Sequence, residues 1–195
     1  RTITVSNRFD VISGATYEIR WQDPRPLNVR AGETWPALEL WAIDRYGNHA
    51  IADSATSLTL TLQHLGEELS AEARANSGVF TFAGPYAFET SQTVTLVFTS
   101  SAGLTVPEPH QVTITSADPT QLRFNPLPSA IYVRQDTVPA VTVTAYDAFE
   151  NPVDNGSHTV SLALLDPRSP QTPTALGTAV LQPNGVAEFP GIQIQ

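Results

Sequence analysis

The sequence predicts an all-β chain built as a tandem pair of β-sandwiches. Three observations carry that expectation. Short alternating runs of Thr, Val, Ile and Leu recur from end to end, clusters of Gly, Pro, Asn and Asp separate them, and a block of sequence occurs twice.

The runs are TITVS (2–6), TYEIRW (16–21), ALELWAID (37–44), SLTLTL (57–62), TVTLVFTS (93–100), HQVTITS (110–116), AVTVTAYD (140–147) and TVSLALL (159–165). Alternation with period two and β-branched content describes half-buried strands, and many short strands with turns between them describe a sandwich or barrel. One segment conflicts: HLGEELSAEARA (64–75) has the Glu, Ala and Leu content of a helix.

The internal repeat resolves that conflict. PALELWAIDRYGN (36–48) lies over PAVTVTAYDAFEN (139–151) without a gap, pairing Pro36 with Pro139, Ala42 with Ala145, Asp44 with Asp147, Tyr46 with Phe149 and Asn48 with Asn151. Leu58, Leu60 and Leu62 then match Val160, Leu162 and Leu164, and GVFTFAG (78–84) matches GVAEFPG (185–191). Residues 64–75 fall on TALGTAVLQPN, a strand entering the Pro183-Asn184-Gly185 turn, so they too are expected in a strand. A second match places YEIRWQDP (17–24) over VTITSADP (112–119), so that the same Asp-Pro ends both strands. On that phase residues 23–118 form a complete unit, residues 119–195 a unit lacking its last two strands, and residues 1–22 the last two strands of a preceding unit. The absence of Met suggests a piece excised from a larger product.

The motif P-A-x-x-V/L-x-A-x-D-x-Y/F-G-N, then an alternating strand, then G-V-A-x-F, resembles bacterial immunoglobulin-like repeats. These are the sandwich modules of invasin- and intimin-type adhesins and of surface-layer and filament proteins. The resemblance covers most of both units and implies tandem immunoglobulin-like β-sandwiches, extracellular display and a spacer, filament or adhesion role. It transfers no catalytic residue. Glu150 stands where the motif has glycine.

Composition narrows the function classes. Nineteen Asp and Glu against ten basic residues, all of them Arg, give a formal net charge of −9, the wrong sign for a phosphate backbone, so no nucleic-acid partner is expected. No apolar run reaches the roughly 20 residues of a membrane span. With neither Cys nor Lys, disulfides, thiolate sites, Schiff bases and Lys–Asn crosslinks are excluded.

Candidate sites are few. Asp44 and Asp147, each followed by an Asn four residues on, can be read as calcium ligands or as hairpin residues whose carboxylates accept backbone N–H bonds. A calcium site asks for six to eight oxygens, whereas each turn offers one carboxylate, which favours the hairpin. Asp23 and Asp118, before the prolines, can likewise be junction calcium ligands or chain-exit residues. Alternation directs Leu38, Leu40 and Ala42 inward and Trp41 and Ile43 outward, with Tyr146 their counterpart in the second copy. These three are candidate surface contacts, and Trp41 can be a glycan platform, a subunit contact or a residue covered by a loop. Trp21 and Trp35 are expected at the inter-unit seam. Asn155 begins an Asn-Gly-Ser sequon. His49, His64, His110 and His158 share no metal-like spacing, and no nucleophile motif appears, so no cofactor and no catalysis are expected.

The leading reading is a structural repeat of a cell-surface fibre, sheath or adhesin stalk, its partners being neighbouring units or copies of itself. The alternative is a carbohydrate-binding accessory module of a secreted enzyme. The cut between units also suggests head-to-tail assembly, residues 1–22 of one copy completing the unit 119–195 of the next.

Overall fold

The computed structural model describes residues 12–22, 28–84, 86–126, 140–153, 158–165, 168, 171–190 and 192. Among them the chain is all-β, without a helix. In order, the strands are β1 (Thr16–Trp21), β2 (Asn28–Arg30), β3 (Leu38–Asp44), β4 (Ser57–His64), β5 (Glu67–Arg74), β6 (Val79–Phe82) and β7 (Gln92–Ser100). There follow β8 (His110–Thr115), β9 (Gln121–Phe124), β10 (Val141–Tyr146), β11 (Thr159–Leu164), β12 (Thr174–Val180) and β13 (Val186–Phe189). The run TITVS, the Asp23-Pro24 corner and the Asn155 sequon lie outside the described residues.

The chain divides into two compact units, one drawn from residues 1–27, 34–86 and 93–113, the other from 28–33, 87–92 and 114–195. In the first, one sheet has the order β1-β3-β6 and the other runs β5-β4-β7-β8. Their alternation supplies the core. Leu38, Leu40 and Ala42 of β3 and Phe80 and Phe82 of β6 are fully buried, as are Leu58, Leu60 and Leu62 of β4 and Val94, Leu96 and Phe98 of β7. Phe82 and Phe98, from opposite sheets, stand 5.9 Å apart, and Trp21 of β1 meets Phe98 edge-on at 5.1 Å, so the two sheets face each other. Each Leu, Val or Phe side chain so removed from water contributes about 1.5–3 kcal/mol.

Residues 67–74 are β5, paired with β4 along its whole length from Ser57↔Arg74 to His64↔Glu67. Leu65 and Gly66 close this hairpin with positive φ angles of 44° and 82°. The two-residue turn and the ladder together override the segment's helical propensity.

In the second unit β10 lies between β9 and β13, and β11 pairs with β12. Its core gathers Val141, Val143, Ala145, Val153, Val160, Leu181, Ala187, Phe189 and Ile192. The short β2 also belongs here: Ala31 N–H donates to Thr115 O, at the C-terminal end of β8 that falls in this unit. Among the described residues no strand of this unit corresponds to β7 or β8.

The register corrects the place given to residues 1–22, as far as they are described. β1 pairs with β3 in the first unit, Ile19 opposite Ala42, Arg20 opposite Trp41 and Trp21 opposite Leu40. β9 does the same in the second, Leu122 opposite Ala145, Arg123 opposite Thr144 and Phe124 opposite Val143. Thr16–Trp21 is therefore the opening strand of its own unit. The match of YEIRWQDP to VTITSADP reflects an alternation that any strand shares, because β8 sits in the other sheet beside β7. Within the chain the backbone of this strand is bonded to β3 and, through Ile19 N–H, to Thr105 O. Trp21 and Trp35 are interior residues of the first unit as well: Trp21 packs on Phe98 and His110, and Trp35, fully buried, faces the Tyr86 ring at 6.3 Å.

Candidate functional site

The feature that the two units share in most detail is the turn after the strand centred on Leu40 and Val143. β3 ends at Asp44, whose side chain turns back into the chain reversal that follows. Asp44 Oδ1 accepts Tyr46 N–H at 2.8 Å and Asn48 N–H at 2.9 Å, and the Asn48 side-chain amide donates to Oδ2 at 3.1 Å. Two backbone bonds close the loop, Asp44 N–H to Asn48 O and Gly47 N–H to Asp44 O, and Gly47 takes φ 85°, where a glycine escapes the Cβ penalty. The fourth donor to the carboxylate comes from elsewhere: Gly14 N–H, thirty residues upstream and just ahead of β1, donates to Oδ2 at 2.9 Å.

Asp147 repeats the arrangement. Its Oδ1 accepts Phe149 N–H at 2.8 Å and Asn151 N–H at 2.9 Å, and its Oδ2 accepts the Asn151 amide at 2.9 Å. Ala117 N–H, again thirty residues upstream and ahead of β9, donates to Oδ2 at 2.9 Å. Both carboxylates are almost wholly removed from water. An ionised carboxylate so placed persists because N–H donors replace its hydration, and such charge-assisted bonds are the strong ones. The Gly14 N–H, with the Asn48 and Tyr46 donors beside it, outweighs the cost of burial and holds Asp44 down to about 2. For Asp147 burial opposes the charge, yet the Asn151 amide and the Ala117, Asn151 and Phe149 N–H groups keep it below the ordinary carboxylate range.

Chemically, each aspartate is an acceptor hub that joins strand exit, hairpin return and unit entrance. The donors are N–H groups pointing at both carboxylate oxygens, so a cation at either one would meet hydrogens first. Asp118 is exposed and pairs with Arg30 at 2.9 Å. Among the described residues no three His, Asp or Glu side chains gather at one place.

The sequence missed two things here. Gly14 and Ala117 act through the backbone, so no side chain marks them; only their common spacing of 103 residues, the same as between Asp44 and Asp147, could have found them. A third hub, Asp53, also escaped notice. It accepts Thr16 Oγ1–H, Thr56 Oγ1–H and the Ala55 and Thr56 N–H groups, and against the cost of burial these donors lower it to about 2.

The surface candidates separate. Ile43, read as outward, is only 6% exposed, a correction with a local cause. The chain folds back over the end of β3, with Ile43 bridged to His49 and Ala50 N–H donating to Ala42 O, so both faces of the strand are covered there. Trp41 is half-buried; His49 stacks on its indole at 4.8 Å with planes 13° apart, and its N–H donates to Gln22 Oε1 at 2.9 Å. Tyr146 is half-buried with the Arg123 guanidinium 4.6 Å above its ring.

No family model matches the chain, and no curated protein matches it in sequence. Solved structures do resemble it. A structure of the Escherichia coli adhesin FdeC aligns at 17% identity and a TM-score of 0.46 over 92% of this chain and 55% of that one. Trypsin-activated alpha-2-macroglobulin from Escherichia coli aligns at 16% identity and 0.38, over 95% and 14% respectively. A tetra-tandem repeat from the extending region of a large adhesion protein aligns at 14% identity and 0.37, over 93% and 42%. The chain thus spans at most about half the length of these neighbours.

Proposed function

We propose that the chain is a structural repeat module of an extracellular fibre, sheath or adhesin stalk at a bacterial cell surface. The observation that carries this reading is the duplicated aspartate hub. Each unit spends a buried charge on its own entrance, tying Gly14 or Ala117 to the turn of Asp44 or Asp147. A spacer made of repeated units keeps its shape when each unit is fixed at its entrance, and the duplicated hub supports that role. The motif's resemblance to surface-protein repeats supports a cell-surface location, and the net charge of −9 suits a solvated array.

Antibodies raised against the purified chain test the location directly. On intact cells of the source organism they are expected to bind before lysis, and binding only after lysis would contradict the reading. The carbohydrate-binding alternative needs a free Trp41 face, and the stacked His49 counts against it. Retention of the chain on a glycan panel that disappears with Trp41→Ala would nonetheless favour it.

A further inference from the structure

We propose that a groove between β1 and segment 106–109 of the first unit binds an extended basic peptide, which adds to the outer edge of β1. The inference does not depend on the spacer role; it gives the module a binding surface of its own.

β1 is an edge strand of the sheet β1-β3-β6. Gln22 N–H donates to Glu39 O, so the backbone groups of Arg20 and Gln22 point towards β3 and those of Ile19 and Trp21 point the other way. On that outer side Ile19 N–H donates to Thr105 O at 2.8 Å, and Glu18 and Thr105 form a parallel bridge. A parallel ladder continued from there brings the N–H of residue 107 to Ile19 O and its carbonyl to Trp21 N–H. Residue 107 is proline and has no N–H to give. The pairing stops at Thr105, and segment 106–109, Val-Pro-Glu-Pro, runs on without strand structure.

Between the two lies a groove of about 520 Å³, with Glu18 to Trp21 along one side and Thr105 to His110 along the other, all of them described residues. Its size is that of a small-ligand cleft. The β1 side presents Ile19 O and Trp21 N–H, an acceptor and a donor two residues apart, which is the spacing that one residue of an added strand pairs with. Aromatic rings stand at the same place, Trp21 meeting His110 edge-on at 5.6 Å. They suit the apolar side chains that point inward from an extended guest, at every second residue. The rim is acidic. Glu18 is paired with Arg20, whereas Glu108 is exposed and has no ion pair among the described residues. The chain as a whole carries −9. The guest that complements this groove is an extended peptide in which apolar and basic side chains alternate.

Two blocked peptides test the groove by NMR on the intact chain: acetyl-Val-Arg-Val-Arg-Val-amide and its counterpart with Glu in place of Arg. In the chain alone, Trp21 N–H is expected to exchange about tenfold or more faster than Arg20 N–H, which faces β3. Saturation with the Arg peptide should slow Trp21 exchange by about fivefold or more and leave that of Arg20 within about twofold. The Glu peptide should bind about tenfold or more weakly at low salt. Slow exchange of Trp21 N–H before peptide is added would overturn the proposal, because that edge would already be paired. Equal affinity for the two peptides, or binding that leaves Trp21 exchange unchanged, would also overturn it. Pro107→Ala supplies the missing donor, so the segment should close onto β1, raising the melting midpoint by about 2 °C or more and weakening the Arg peptide by about tenfold or more. Peptide binding as tight as in the parent would contradict this. Should that variant fail to fold, Glu108→Gln reads the rim instead: affinity for the Arg peptide should fall by about threefold or more, and unchanged affinity would overturn the proposal. None of these failures touches the spacer reading.

Discussion

β4 and β11 carry the same alternating pattern and meet different fates. Leu58, Leu60 and Leu62 are fully buried because β4 lies between β5 and β7, where Leu60 faces Phe98 and Leu62 faces Leu96. Their counterparts on β11 pair with β12, and burial fades along the strand: Val160 is buried, Leu162 half-buried and Leu164 42% exposed. The turns differ in the same way, Asn151 covered and Asn48 open. Alternation therefore fixes which way a side chain points, and the neighbouring strand or loop decides how much water it loses.

The largest expected effect breaks the strand comparison. Leu60→Ala should destabilise the first unit by about 2–5 kcal/mol, whereas Leu164→Ala should cost the second less than about 1 kcal/mol. Urea unfolding, followed separately for each unit, checks this, and equal costs would mean that the β11 side chains are covered after all. Next comes Gly32→Ala, which drives a methyl into the Phe149 ring at a left-handed position. A loss of about 1–3 kcal/mol is expected, and Phe149→Ala in the same chain should recover part of it.

Acid sharpens the turn comparison. Asp44 and Asp53 titrate near 2 in the folded chain, below the ordinary unfolded value of about 4. Their stabilisation is therefore complete above about pH 4 and is lost as pH falls from there towards 2. Circular dichroism across that window should show stability falling, and Asp44→Asn and Asp53→Asn should each flatten the fall. The smallest effect is a gain: Glu150→Gly relieves a positive φ of 68° and should add about 0.5–1 kcal/mol, less whatever the exposed Arg123–Glu150 pair contributes.

Much of the architecture was legible in the residues. The runs at 57–62, 93–100 and 140–147 fall on β4, β7 and β10, and the duplicated Pro–Asp–Asn block led to the paired turns. What escaped depended on partners that a linear pattern does not display. β1 was placed in the wrong unit because TYEIRW alternates like any strand and only its hydrogen bonds to β3 say where it pairs. Ile43 was read as outward because alternation knows nothing of the 48–50 segment folding over it. Gly14 and Ala117 were missed because their contribution is a backbone N–H.

The central claim is that a buried aspartate fastens the entrance of each unit, and amide hydrogen exchange at Gly14 and Ala117 tests it most directly. Both amides should be protected in the parent chain, with Asp44→Asn releasing Gly14 alone and Asp147→Asn releasing Ala117 alone, each by about tenfold or more. Exchange of either amide at the rate of an unstructured peptide in the parent chain would contradict the account.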